Sequence, residues 1–256
     1  MIVTTHPCGH LLVMLRRLLL VLAFASSLSA DTLHVSAAAS LTDVLEEIGK
    51  SYQTATGDRL VFNFGSSGSL ARQIIEGAPV DVFISADERQ MDRVAGKGFV
   101  YAPSRVSVVS NTLVAIVPFD STLKLTSPKD LDSDDVVRIA VGDPETVPAG
   151  DYARHYLKRD GVWSHLSMKL IPMENVRAAL AAVEAGNVDC GFVYKSDTGI
   201  SKLVRIAFAF EGKPTISYPA AVIATSRNRT AGKRFIDYLG TRAAQAVFKR
   251  YGFVTK

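Results

Sequence analysis

Twice within forty residues, Leu33–Arg72, the chain runs from an apolar strand through a small serine-bearing bend into an amphipathic helix. The stretch reads LHVSAAASLTDVLEEIGKSYQTATGDRLVFNFGSSGSLAR. Two strand–helix units in succession require a parallel pairing with helical crossovers, which restricts the chain to α/β architectures. The bends, AAAS at 37–40 and GSSGS at 65–69, each open a helix. A helix start carries about half a positive charge and unpaired N–H donors, so it suits an anion. Two such starts facing one crevice, with serine hydroxyls beside them, predict a small oxyanion held without a formal cation.

The same alternation continues. Leu41, Val44, Leu45, Ile48 and Tyr52 follow helical spacing, Leu60–Phe64 reads as a strand, and Leu70, Ile74 and Ile75 mark a second helix stopped by Gly77 and Pro79. Val80–Ile84 is the next strand, with a helix around Glu88–Ala95. Strands follow at Leu113–Val117, Val137–Val141, Cys190–Tyr194 and Val204–Phe208, with helices through Tyr152–Leu157 and Val176–Val183. Tyr218–Ala224 reads as a return crossing, after which helical stripes at Phe235 and Leu239 and at Val247, Phe248 and Tyr251 pack back on the first half. The expected fold is α/β: two lobes, each a mainly parallel sheet flanked by helices, joined by two crossings around a cleft. Lobe 1 is expected over residues 31–114 plus 218–256, and lobe 2 over 115–217.

Residues 1–30 read as a cleaved secretory signal peptide: Arg16 and Arg17 precede the apolar run Leu18–Ala25 and then small residues to Ala30. Met14 is an alternative start, since residues 1–13 fit no targeting pattern. The apolar run falls well short of the ~20 residues a membrane span needs. The expected location is therefore the periplasm. Without a cysteine just after the leader, no lipid anchor is expected. Losing Arg16 and Arg17 removes two of 29 cations and none of 25 acids, so the net charge drops from +4 to +2. With no basic run, that excludes nucleic acid as an expected partner. Of the two cysteines, Cys8 precedes Met14, leaving Cys190 as a buried small hydrophobe with no internal disulfide partner.

Each candidate residue also has an ordinary structural reading. Ser40 suits a helix N-cap. The glycines of GSSGS permit a backbone curl whose successive N–H groups make an anion nest. The loop lacks the lysine of a P-loop and the spacing G-x-G-x-x-G, and around Ser67 the pattern is G-x-S-x-S, not the hydrolase elbow G-x-S-x-G. His34, His155 and His165 carry no motif that ties them to Ser67. No metal-ligand spacing is present. Asp81 and Asp87 read first as caps or lobe–lobe hydrogen bonders and second as cleft acids. Pro148-Ala149-Gly150 and Asn175-Val176-Arg177 each sit at a helix start. Ala149 and Val176 can offer a ligand only their backbone N–H, and Tyr194 ends a strand with a phenol.

In order along residues 33–254, the segments AAASLTD, GSSGSLARQI, GAPVDVFISAD, AVGDPETVPAGDYA, ENVRAALAAVEAGNVDCGFVY and VFKRYGF resemble the periplasmic molybdate-binding proteins of ABC uptake systems (the ModA type). The resemblance implies a type II periplasmic-binding fold. It also implies an oxyanion held by two serines, an alanine N–H, a valine N–H and a tyrosine hydroxyl. Carried over by position, these are Ser40, Ser67, Ala149, Val176 and Tyr194. Where related chains carry an SSS-type run this one has Ser-Ser-Gly, so Ser66 competes with Ser67 for the inward position, and Ser67 is favoured.

The implied ligand is molybdate or tungstate, with no cofactor, no direct protein–metal ligand and no catalysis. The implied partners are a membrane permease and its ATPase, and the protein is expected to be a monomer. Molybdate is a dianion that needs donors and brings no proton. Sulfate is smaller, and hydrogenphosphate brings a proton that a cage of donors cannot accept. Tungstate should be accepted almost equally. Binding is expected to be nearly flat from about pH 6 to 9 because no ligating group titrates there. The alternatives are a type II binder of sulfate or phosphate and, more remotely, a periplasmic hydrolase using Ser67.

Overall fold

The computed structural model describes residues 30–255. Apart from Ala30, the expected leader lies outside them. The first sheet contains β1 (Thr32–Ala38), β2 (Arg59–Gly65), β3 (Val82–Ile84), β4 (Val106–Asn111) and β10 (Ile216–Val222), in the order β2-β1-β3-β10-β4. The second contains β5 (Leu113–Pro118), β6 (Ile139–Gly142), β7 (Leu170–Met173), β8 (Cys190–Tyr194) and β9 (Val204–Ala209), in the order β7-β6-β8-β5-β9. The helices in chain order are α1 (Thr42–Thr56), α2 (Ser67–Ile75), α3 (Glu88–Gly96), α4 (Pro148–Arg159), α5 (Val176–Glu184), α6 (Lys195–Thr198), α7 (Arg229–Leu239) and α8 (Arg242–Arg250).

In each sheet four strands share one direction and one opposes them, β10 in the first and β5 in the second. The opposed strand is in both cases the first after the chain changes sheet, between Asn111 and Leu113 and between Ala209 and Ile216. The reason is geometric. A strand entering from the other lobe starts where its new neighbours finish, so it has to run backwards. Leu113, the first residue of β5, accordingly pairs with Tyr194, the last of β8.

Burial follows the apolar runs. β8 and β6 are buried at every position, and β5 at all but its terminal proline, as central strands covered on both faces should be. One face of the first sheet carries α2 and α3 over a cluster of Leu70, Ile74, Phe83, Met91 and Val94. On the other side α1, α7 and α8 meet around Tyr52, whose ring packs edge-on against Phe235 at 5.1 Å. The C-terminal segment returns to the first lobe as expected: Arg250 pairs with Glu47, and Val254 bridges to Ser110. Among the described residues no helix is long and apolar enough to cross a membrane.

Candidate functional site

The strands of both sheets that share the common direction end toward the same region, and the residues just beyond those ends converge there. β1 leads through a short 3-10 turn, Ala39–Leu41, into α1, and β2 leads into α2. From the other side β6 leads to α4, β7 to α5, and β8 ends at Tyr194 itself. Ligands of open α/β sheets sit at such carboxyl ends. Ser40, Ser67, Ala149, Val176 and Tyr194 all line one tight cavity of about 10 Å³ here, with Ser66, Ala86 and Asn175 beside them. That space is far below the range of cofactor pockets, which leaves room only for a guest of few atoms. No Lys, Arg, Asp or Glu is in the lining.

Four of the five have an N–H or O–H to offer the cavity, and Ser40 shares its hydroxyl with Tyr218 in a bond that can run either way. Pro148 takes the first position of α4, so Ala149 is second, and Val176 opens α5 behind the N-cap Asn175, whose side chain accepts the Ala178 N–H at 3.0 Å. Early helical N–H groups have no acceptor inside the helix, and those of Ala149 and Val176 have none among the described residues. Ser67 Oγ accepts the Ala86 N–H at 3.0 Å, which leaves its own proton to the cavity. Ser66 is spent differently: it caps α2, accepting from Ser69 N and donating to Ser69 Oγ at 2.9 Å. Ser40 Oγ lies 3.0 Å from Tyr218 Oη. Tyr194 Oη is buried and has no partner among the described residues. Burial holds the Tyr194 phenol well above its ordinary range, so it keeps its proton.

Charge is held just outside the lining. Arg177, next to Val176, reaches across the cleft to Asp43 in the first turn of α1 at 2.6 Å. Its Nε lies 3.1 Å from Asp197 Oδ1, out of line for a hydrogen bond. Asp197 is wholly buried, and its other oxygen accepts the Tyr194 N–H at 3.0 Å. Burial pushes its carboxyl up to about 7, against the pull of Arg177 and of that N–H. A second cross-cleft pair, Arg89–Asp151 at 3.1 Å, flanks the other side. The Gly68 N–H also donates from lobe to lobe, to Thr146 O at 2.9 Å, so the cleft is closed.

Several ordinary readings change. Ser40 is not an N-cap: it lies inside the 3-10 turn, and α1 begins after Leu41 with no side-chain cap. Neither glycine of GSSGS has positive φ, so no curled nest forms. Gly68 is instead required by proximity, since a Cβ there would stand 2.5 Å from Thr146 O. Asp87 caps α3 through the Gln90 N–H, and Asp81 accepts from His34 N and Ser226 Oγ, so both acids act structurally. Cys190 is buried, its thiol pushed up to about 12 by burial. His34, His155 and His165 are exposed, whereas Ser67 is fully buried, so none of the three is placed to activate it.

Sequence reasoning missed Tyr218, Asn111, Arg177 and Asp197 as neighbours of the site. A polar atom inside an apolar strand, as in Ser217-Tyr-Pro-Ala-Ala-Val222, was the available signal, because a buried phenol needs a partner.

Comparison with known proteins agrees with the two-lobed fold. Residues 33–254 match the family described as bacterial extracellular solute-binding protein. The molybdate-binding protein ModA of Escherichia coli strain K12 is 41% identical over 233 residues, covering 87% of this chain and 88% of that protein. A solved substrate-binding domain of a putative molybdenum ABC transporter from Clostridium difficile superposes with a TM-score of 0.69 at 36% identity, over 89% of this chain and 100% of that one. The periplasmic molybdate-binding protein of Azotobacter vinelandii gives a TM-score of 0.78 over 88% of this chain and 99% of its own; at 24% identity it speaks for the fold alone.

Proposed function

The chain belongs to the bacterial extracellular solute-binding protein family, and from that premise we propose that it captures molybdate, and tungstate with it, between its lobes for delivery to an ABC permease driven by an ATPase. The observation that carries this reading is the set of five neutral polar groups around one tight cavity, one of them the Tyr194 phenol, which has no partner among the described residues. Leaving such a group buried without a partner costs about 1–3 kcal/mol, which a guest acceptor relieves. Hydrogen bonds to a charged group are worth about 1.5–3 kcal/mol each. Several together support micromolar or tighter binding after the costs of association. The names of the relatives supply the guest: those quoted above bind molybdate or serve a molybdenum transporter.

In this reading Ser40, Ser67, Ala149, Val176 and Tyr194 ligate the oxygens of the anion, and nothing in the protein ligates the metal. A first lobe that runs to Asn111 and resumes at Ile216, a few residues from the expected bounds 114 and 218, closes on a second lobe that opens with Leu113. Closure presents a monomer to the permease outside the cytoplasmic membrane after its leader has been removed. Titration calorimetry of the mature protein tests this. Molybdate and tungstate should bind with comparable affinity, and sulfate and phosphate far more weakly; equal binding of sulfate would overturn the assignment.

A further inference from the structure

The direction of the Ser40 hydroxyl is set from outside the cavity. Asn111 ends β4, and its Oδ1 accepts the Thr112 N–H at 2.9 Å, which fixes the end of the amide that carries hydrogens. Its Nδ2 donates to Ser196 Oγ at 2.8 Å and to Tyr218 Oη at 3.3 Å. The Tyr218 oxygen has one further hydrogen-bond neighbour among the described residues, Ser40 Oγ at 3.0 Å. Tyr218 is wholly buried, and burial keeps its phenol protonated. Having accepted from Asn111, the phenol still has a proton to place. If Ser40 donated to it, that proton would be buried without an acceptor, an arrangement folded proteins avoid. The phenol therefore donates to Ser40, and the Ser40 proton is the one left to turn into the cavity.

We propose that Asn111 and Tyr218 form a donor relay, Asn111 N–H to Tyr218 O–H to Ser40 O–H, that commits Ser40 to donating and biases the cavity toward fully deprotonated tetrahedral oxyanions over protonated ones. The proposal rests on the reading above that the guest is a tetrahedral dianion, and makes Tyr218 and Asn111 positioning residues for it. Ser67 is committed in the same sense by the Ala86 N–H. Without its relay, Ser40 is free to rotate and offer a lone pair to a protonated guest such as hydrogenphosphate. The relay sits where the two crossings meet, since Asn111 immediately precedes one change of sheet and Tyr218 follows the other.

The test is a double-mutant cycle read by titration calorimetry with molybdate and with phosphate at pH 7.5. The proteins are wild type, Tyr218→Phe, Ser40→Ala and the double variant, each checked for folding by thermal unfolding. Tyr218→Phe keeps the ring packed between Tyr194 and Phe253. It should weaken molybdate at least about tenfold and narrow the preference over phosphate. In the Ser40→Ala background the same change should cost less than about twofold, because the relay no longer has an end. Additive losses would mean that Tyr218 acts only through packing and would overturn the relay, as would molybdate binding by Tyr218→Phe within about twofold of wild type. Should Tyr218→Phe fail to fold, Asn111→Ala takes its place in the cycle with the same expectations. A wild type that binds molybdate but gives an additive cycle sinks the relay alone; a wild type that binds no tetrahedral dianion sinks both readings.

Discussion

At the scale of single residues, the site depends on which atoms have protons to spare. Tyr194 gives the cleanest case, because its hydroxyl is buried, protonated and unpaired. Tyr194→Phe should weaken molybdate at least about tenfold while leaving the melting temperature of the empty protein unchanged or raised, since the change removes an orphaned polar group. Calorimetry and thermal unfolding on one preparation check both halves. Asp197 gives a pH prediction. Burial raises its folded pKa from the ordinary 3.8 to about 7, so the folded state holds this proton more firmly than the unfolded chain. Its contribution to stability is then fully present below about pH 4 and lost as pH rises through 7. Denaturant titrations of wild type and Asp197→Asn from pH 4 to 8 should show the wild type losing stability relative to the variant; parallel curves would contradict it. The two serine-bearing bends were legible because serine and glycine cluster at helix starts, whereas the full set with Ala149, Val176 and Tyr194 came from the family resemblance. What was not legible was the division of labour. Ser66 and Ser67 look alike in sequence, and only Ser69 and Ala86, brought together by folding, make one a cap and the other a free donor.

At the scale of elements, the donors come from the first turns of helices, where backbone N–H groups have no partner. Val176 opens α5, and Asn175 before it is already extended, with φ −159° and ψ 174°. Proline is tolerated at a helix's first position and after an extended residue. Val176→Pro should therefore fold normally yet bind molybdate at least about tenfold more weakly, through the loss of one N–H. Unchanged affinity would remove Val176 from the site. Most helices and buried strands could be read from periodicity, but Tyr218–Ala224, expected as a crossing, lies largely in the buried strand β10, and β4 and β7 were not read at all. Both are edge strands, with half-exposed residues and, in β7, a proline. The other two edge strands, β2 and β9, were legible because they keep enough apolar residues, whereas serines break the run in β4 and a proline breaks it in β7. The requirement for glycine at position 150 was equally hidden: a Cβ there would fall 1.7 Å from the carbonyl oxygen of Gly142, so α4 approaches β6 more closely than any other residue permits.

At the scale of the whole molecule, two lobes meet through polar pairs and the Tyr194–Tyr218 ring contact around a neutral cavity. Arg177 with Asp43 and Arg89 with Asp151 are half-exposed pairs, weak individually. The backbone bond from Gly68 to Thr146 lies between the lobes and leaves no room for a side chain. Gly68→Ala should hold the cleft ajar, lowering molybdate affinity while both sheets stay intact by circular dichroism; full affinity would mean the lobes close without that contact. The two-lobed plan was visible in the sequence as alternating strands and helices interrupted by a polar stretch and resumed by a C-terminal return. The pairs that span the cleft were not, because Asp43 and Arg177 are far apart in the chain and meet only when the lobes close. The central claim is that neutral dipoles, without basic side chains, hold a doubly charged guest. A crystal structure of the protein with molybdate tests it most directly. The account predicts the anion's oxygens bonded to Ser40 Oγ, Ser67 Oγ, Tyr194 Oη and the N–H groups of Ala149 and Val176; a lysine or arginine nitrogen bonded to the anion would contradict it.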